Sequence, residues 1–520
     1  MAINASRRNF IKTAGAAAAT MTAGSFGVAS ADEAAWDEEF DVVVVGAGIA
    51  GHAAAMTVAA EGEGATALLL EKCEAPAGCS PYCAGRCLWT NDAEAMKTYI
   101  KDMSQGCTPD DVIDVYAEGM TWIPEWIYSF GASEADLTIV QPGADGVFGA
   151  REPEHPECEG SYSIGVLSFG GKGATNPDAP IHFMPWMEDV VAGMSDVVEY
   201  RPATPVEKLV KDESGAVVGV IAGDKRIKAN KGVIMTLGGF EHNAEMLECY
   251  MGVGAAISSA GLGNTGDGIL MCQAAGAGFW HMHGGAAFWL NGRSLDNSIA
   301  INSDKRFGIT VGINGRRFYQ DWDACKANIE SDGYAYLSDA KGHVGYRHGM
   351  TQFGGYWRHL PMPDTAWYLF DADGLAAGAI PADVSEDPVA DGIAVCADTI
   401  EELAELIDVP ADELNATVAQ WNDFCDKGAD LAFYRPESTL NPVKTAPFYA
   451  QLCAPMMLNT DGGPVRDAKG RVLDPWGEPI VGLYSAGEFG SVWGNKYQGC
   501  GNVAECIVFG RIAAQTALGL

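Results

Sequence analysis

The stretch that most restricts what this chain can fold into is Asp41-Val-Val-Val-Val-Gly46-Ala-Gly48-Ile-Ala-Gly51. Four consecutive valines make a strand buried on both faces, as in a parallel sheet. Three glycines follow at G-x-G-x-x-G spacing and open an Ala-rich helix. Gly46 permits the tight turn, Gly48 lets the backbone approach a pyrophosphate, and Gly51 packs helix on strand. Phosphates then sit on the helix N-terminus, where free N–H groups and the dipole favour anions. A second strand, Ala67–Leu70, ends in Glu71, about twenty residues beyond Gly51, where ribose hydroxyls call for an acid. The pattern predicts an α/β, Rossmann-like dinucleotide-binding domain.

The dinucleotide is read as FAD. After Glu71-Lys72 comes a turn-rich loop, Gly78-Cys79-Ser80-Pro81, and near the far end Pro479-Ile-Val-Gly-Leu-Tyr-Ser-Ala-Gly487-Glu488 is a strand closing on a Gly-Glu pair. With Gly499-Cys-Gly501-Asn502-Val503 this resembles the flavoprotein subunits of the fumarate reductase and succinate dehydrogenase family, the soluble periplasmic fumarate reductases above all. Thr236-Leu-Gly238-Gly239-Phe240 is similar to the family's A-T-G-G-F strand, and Asn264-Thr-Gly-Asp267-Gly268 to its T-G-D-G turn. The resemblance covers residues 38–520. It implies cofactor contacts from Gly46, Gly48, Gly51, Glu71, Lys72, Gly78, Ser80, Val206, Gly238, Asp267, Gly487, Glu488, Asn502 and Val503, with Val206 near the adenine. It also implies a second, inserted capping domain.

The first thirty-one residues read as an address. Ser6-Arg7-Arg8-Asn9-Phe10-Ile11-Lys12 matches the twin-arginine export pattern, and Ala29-Ser30-Ala31 is a small-residue cleavage site. The weakly apolar stretch between them is too short to span a membrane well. The expectation is an exported protein, periplasmic or at the extracytoplasmic cell surface, without stable membrane insertion after cleavage.

Length and charge narrow the classes further. A chain of 520 residues exceeds one ordinary core, so two domains are expected. The net charge of −36 disfavours nucleic acid and anionic membrane surfaces as partners. The acidic residues are spread along the chain, as on a solvated surface, and a docking face for a cationic cytochrome is the alternative. Residues 38–277 plus 446–520 are assigned to the FAD-binding domain and 278–445 to the capping domain.

Fourteen cysteines carry no C-x-x-C-H haem signature. Cys73, Cys79, Cys83 and Cys87 form a run that matches neither standard ferredoxin spacing. They are read as small residues of the second flavin loop, with an iron–sulfur cluster as the open alternative and no metal assigned. Disulfides remain open after export, since connectivity cannot be read from sequence.

Departures from the fumarate reductase pattern bear on substrate. The family grips a substrate carboxylate with the histidine of H-T-x-G-G, and the matching segment here is Asn459-Thr460-Asp461-Gly462-Gly463. The place of its second carboxylate-binding arginine falls to Tyr497, and that of its proton-donating arginine, after Phe370-Asp371, to Leu375. Arg316-Arg317-Phe318-Tyr-Gln-Asp321 keeps the family's R-F-x-x-acid segment. A dicarboxylate needs fixed cations when it is desolvated, so fumarate and succinate fit poorly.

Tyr497-Gln-Gly499-Cys-Gly501 instead resembles the Y-x-G-x-G segment of 3-ketosteroid Δ1-dehydrogenases. That resemblance implies a Tyr497 hydroxyl and a Gly501 N–H polarising a substrate carbonyl. Hydride would pass from flavin N5 to the β-carbon of an activated alkene, with an acid protonating the α-carbon. Tyr346, His348, Arg358 and His283 are the capping-domain candidates for that acid. The expected activity is reduction of a carbon–carbon double bond in an enone-type or aromatic-conjugated small molecule. Electrons would come from an external donor such as a multihaem cytochrome or a quinol-linked protein. The alternatives are a 3-ketosteroid-type dehydrogenase running oxidatively and a non-catalytic flavin electron-transfer protein.

Overall fold

The computed structural model describes residues 26–31, 35–83, 85–143, 155, 158–170, 174–176, 180, 182–254, 256–258, 261–296, 300–301, 303–318, 365–433, 435 and 437–520. Its main sheet contains β1 (Gly27–Ser30), β2 (Glu38–Val45), β3 (Ala67–Leu70), β4 (Val198–Arg201), β5 (Val206–Lys211), β6 (Val217–Ala222) and β7 (Lys225–Met235), in the order β1-β5-β6-β7-β2-β3-β4. The pairs β7–β2, β2–β3 and β3–β4 are parallel. Val42–Val45 and Leu68–Leu70 are buried, as the uninterrupted apolar runs require for strands covered on both faces. β5, β6 and the first residues of β7 form the antiparallel meander whose alternating pattern is visible in the sequence.

The glycine-rich turn leads from β2 into helix α1 (Ile49–Glu61). A Cβ on Gly51 would lie 1.9 Å from the Gly46 carbonyl oxygen, so only glycine lets α1 start this close to the strand. Gly46 itself has φ +104°, a conformation that favours glycine.

A second sheet contains β8 (Gly285–Arg293), β9 (Gly308–Gly312), β10 (Ala366–Asp371), β11 (Ala394–Ala397) and β12 (Phe448–Thr460). β12 is its hub, pairing antiparallel with β8, β10 and β11. β12, which lies beyond residue 445, thus pairs with strands of the segment 278–445. It pairs with β10 and β11 over Phe448–Cys453 and with β8 as far as Asn459 and Thr460. The chain then adds β13 (Pro479–Ser485), parallel to β7, and closes with helix α2 (Gly501–Leu518) packed along α1. Among the described residues no helix is long and apolar enough to cross a membrane.

β1 lies at the sheet edge, parallel to β5, and the Arg226 guanidinium donates to the carbonyls of Ser30 and Ala31 at 2.8 and 3.3 Å. Residues 27–31, assigned by sequence to the end of the leader, are thus part of this sheet. Residues 1–25, with the arginine pair, lie outside the described residues.

Candidate active site

The ends of β2, β3, β7 and β13 surround one cavity. It brings together most of the predicted cofactor residues: Gly46, Gly48, Glu71, Lys72, Gly78, Ser80, Val206, Gly238, Asp267, Gly487 and Glu488. Gly51 supports it from behind. Asn502 and Val503 are not on its wall: Asn502 bonds to Asp461 and Val503 is buried in the apolar core.

The floor of the cavity is shaped for close approach. A Cβ on Gly46 would meet the Thr236 carbonyl oxygen at 2.4 Å, one on Gly48 the Ser80 Oγ at 2.9 Å, and one on Gly78 the Asn264 Oδ1 at 2.8 Å. Ser80 Oγ accepts from the Ile49 N–H at 3.0 Å, clamping the second loop onto the start of α1. Glu71 accepts from the backbone N–H groups of Ala47 (3.2 Å) and Cys73 (3.0 Å). Burial raises its pKa, and those two N–H groups work in the opposite direction. Lys72 Nζ reaches Asp267 and Thr265, each at 2.7 Å, joining the rim of the cavity to the T-G-D-G turn. A glycine-lined cradle at a helix N-terminus, with a carboxylate at the end of the next strand, fits FAD. Here Glu71 would hold the adenosine ribose.

Outside that lining, Asn459, Asp461 and Asn502 form a buried polar wall of their own. Asn459 Nδ2 and Asn502 Nδ2 both donate to Asp461 Oδ1, at 3.0 and 3.2 Å. Burial pushes the Asp461 carboxyl up to about 7, against the pull of the two amides. Sequence reasoning quoted Asp461 within its motif and missed this role; the signal was an acid where the strand re-enters a buried region. Behind the wall, His281 is buried with ring nitrogens 2.6 Å from the Ser491 carbonyl and 3.0 Å from the Cys107 carbonyl. His283 is half-buried nearby and lowers the His281 pKa, burial being the larger cause.

Tyr497 is buried, edge-on to Trp493 with ring centroids 5.9 Å apart, and its carbonyl oxygen is 3.0 Å from His155 Nε2. Gly501 departs from the sequence expectation. Its N–H already donates to the Gln498 carbonyl at 3.0 Å, and a Cβ there would lie 2.5 Å from the Trp493 ring. Gly501 is glycine because an indole packs on it, and its amide is committed to the turn that starts α2. Leu375 packs against the apolar core, and Arg317 pairs with buried Asp430 at 2.9 Å. Tyr346, His348 and Arg358 lie outside the described residues.

The cysteine run does not converge on one point. Cys79 donates to Glu241 Oε1 at 2.8 Å, Cys83 Sγ lies 3.4 Å from His182 Nε2, and Cys87 is buried in the apolar core. The described cysteines are free thiols. Among the described residues, the group whose ligand atoms gather tightly is Cys79, Glu241 and Glu488, within 4.8 Å of one another.

Comparison with known proteins agrees with this geometry. A family model described as "FAD binding domain" matches residues 41–503. Digoxin reductase of Eggerthella lenta is 27% identical over 527 residues, covering 93% of this chain and 88% of that protein. The fold matches a 3-ketosteroid Δ1-dehydrogenase from Sterolibacterium denitrificans, solved with 1,4-androstadiene-3,17-dione, at TM-score 0.71 and 21% identity, covering 93% of this chain and all of that one. It also matches the open conformation of a flavocytochrome c3 fumarate reductase at TM-score 0.63 and 24% identity, covering 93% of this chain and 79% of that one. Both resemblances drawn from the sequence are therefore present in the fold. The chain belongs to the FAD binding domain family, takes FAD as its cofactor, and is an FAD-dependent oxidoreductase acting on CH–CH bonds.

Proposed function

We propose that this protein is an exported reductase of carbon–carbon double bonds conjugated to a carbonyl, supplied with electrons by a separate redox protein. The observation that carries the reading is the polarity around Asn459. Where fumarate reductases hold a carboxylate with a histidine, this chain has an amide that donates an N–H to Asp461. A second anion placed there would face a buried acid instead of a cation. A neutral, carbonyl-bearing substrate meets no such repulsion.

When bound, FAD supplies the hydride. The chain's own residues do the rest. The glycine cradle and Glu71 fix the cofactor, and the capping unit excludes water. The Tyr497 hydroxyl donates to the substrate carbonyl oxygen as charge gathers there. With the Gly501 amide committed to Gln498, Tyr497 carries that task without the partner assigned from sequence. His283, Tyr346 and Arg358 are the proposed sources of the proton.

The test is an anaerobic screen of dye-reduced protein against unsaturated ketones, unsaturated acids and steroids. Re-oxidation of the flavin by enones and not by fumarate is the expected result; equal rates with fumarate would sink the proposal. The second reading, a 3-ketosteroid-type dehydrogenase working oxidatively, draws on the fold match to the steroid-bound enzyme. It predicts flavin reduction by saturated 3-ketosteroids in the same apparatus.

A further inference from the structure

The cofactor cavity has an acidic end. Glu241 follows the Gly238-Gly239-Phe240 segment beyond β7, and Glu488 follows β13; both are buried. The Asn264 amide nitrogen lies 2.5 Å from Glu241 Oε1 and 3.1 Å from Glu488 Oε1. Cys79 Sγ donates to Glu241 Oε1 at 2.8 Å and lies 3.3 Å from the same amide nitrogen. Glu488, Cys79 and Asn264 line the cavity, while Glu241 stands behind them.

No cation offsets this pair among the described residues. Arg466 is bonded to the Gly487 carbonyl and paired with Glu505. The other titratable groups that face the pair are acids: Asp461, and the Cys83 and Cys506 thiols beside Glu488. Thr460 Oγ1 lies 3.4 Å from Glu241 Oε2.

Two carboxylates this close in a buried site cannot both ionise at ordinary pH. A metal ion is one way to balance such a group, but it needs lone pairs converging on an empty centre. Here the Asn264 N–H₂ group points into that centre, so the balancing charge is a proton.

We propose that Glu241 and Glu488 hold one proton between them at neutral pH, so that the wall of the FAD cavity carries a single negative charge and one carboxyl serves as a hydrogen-bond donor. Burial raises the pKa of both groups, in the same sense as this sharing. Glu241 is then a positioning residue. It does not line the cavity, but it keeps Glu488 protonated for part of the time, so that Glu488 can donate to the cofactor as well as accept. The pair also limits the negative charge standing beside a group that gains electrons.

Infrared difference spectroscopy of the FAD-loaded protein tests this at about pH 8.5, above the range in which Asp461 titrates. The expected result is a protonated-carboxyl C=O stretch in the unaltered protein, lost in Glu241→Gln and in Glu488→Gln and kept in Cys79→Ser. The two Gln variants report on the same proton, so either one suffices if the other fails to load FAD. Absence of the band from the unaltered protein, its persistence in both Gln variants, or a stoichiometric bound metal ion would overturn the proposal.

Discussion

Arg466 and Glu505 form an ion pair with neither side chain exposed to solvent, tying the segment after β12 to the last helix. Glu505 also accepts from Ser491 Oγ at 2.6 Å and from the Val492 N–H at 2.8 Å. Burial pushes the Arg466 guanidinium down to about 9. Removing one partner of such a pair leaves an uncompensated buried charge, which costs about 3–5 kcal/mol. Glu505→Ala is therefore expected to lower stability by that order, measured by denaturant unfolding. A loss under about 1 kcal/mol would mean that water reaches Arg466.

Glu71 should matter to cofactor retention more than to fold. Its carboxylate caps the turn through Ala47 and Cys73 and lines the cavity beside the end of β3. Glu71→Ala is expected to weaken FAD binding by about 1–3 kcal/mol, the scale of a lost hydrogen bond to a charged group. FAD release under mild dialysis measures it, with circular dichroism as the check on fold.

Asp461 makes stability depend on pH. Its carboxyl is raised from 3.8 to about 7 in the folded chain. Between those values the folded state binds more protons than the unfolded one, so stability falls as pH rises through the window. The contribution is complete below about pH 4 and absent above about pH 7, and the full span is about 4 kcal/mol at ~1.4 kcal/mol per unit. Asp461→Asn should flatten the change in melting temperature across this window. An unchanged pH profile would show that another group titrates there.

Tyr497→Phe keeps the ring against Trp493 and removes the hydroxyl. Losing one preorganised donor to a developing oxyanion costs about 10²–10³ in rate. Turnover of the best enone should fall by that factor, with FAD content and dithionite reduction of the flavin unchanged. Near-normal turnover would move the polarising role to another side chain, with Arg358 the first to test.

Changing Arg7 and Arg8 together to Lys should leave the precursor in the cytoplasm, measured by fractionation of the producing cells. Normal export of the double variant would remove the leader assignment.

What could be read from the sequence divides along physical lines. The glycine turn, the valine strand and Glu71 were legible because local backbone geometry and short spacing specify them. The pairing of the strand Phe448–Thr460 was not legible because its partners, around residues 285–293 and 366–371, are distant in sequence. Gly501 was assigned as a donor because motif register shows where an amide lies but not what it already bonds. Asp461, Glu241 and Asn264 went unassigned because their meaning lies in contacts across as many as two hundred residues. Glu241 with Cys79 is the clearest case.

The edge strand Gly27–Ser30 has a consequence for maturation. Ala29 and Ser30 are held in a ladder with β5, and Arg226 donates to the carbonyls of Ser30 and Ala31. Peptidases read a free, extended backbone, and here those groups are already taken. If the leader is cut after Ala31, as proposed, cutting of the folded chain must first peel β1 away. Such peeling would leave β5 as a raw sheet edge, open to whatever strand arrives next.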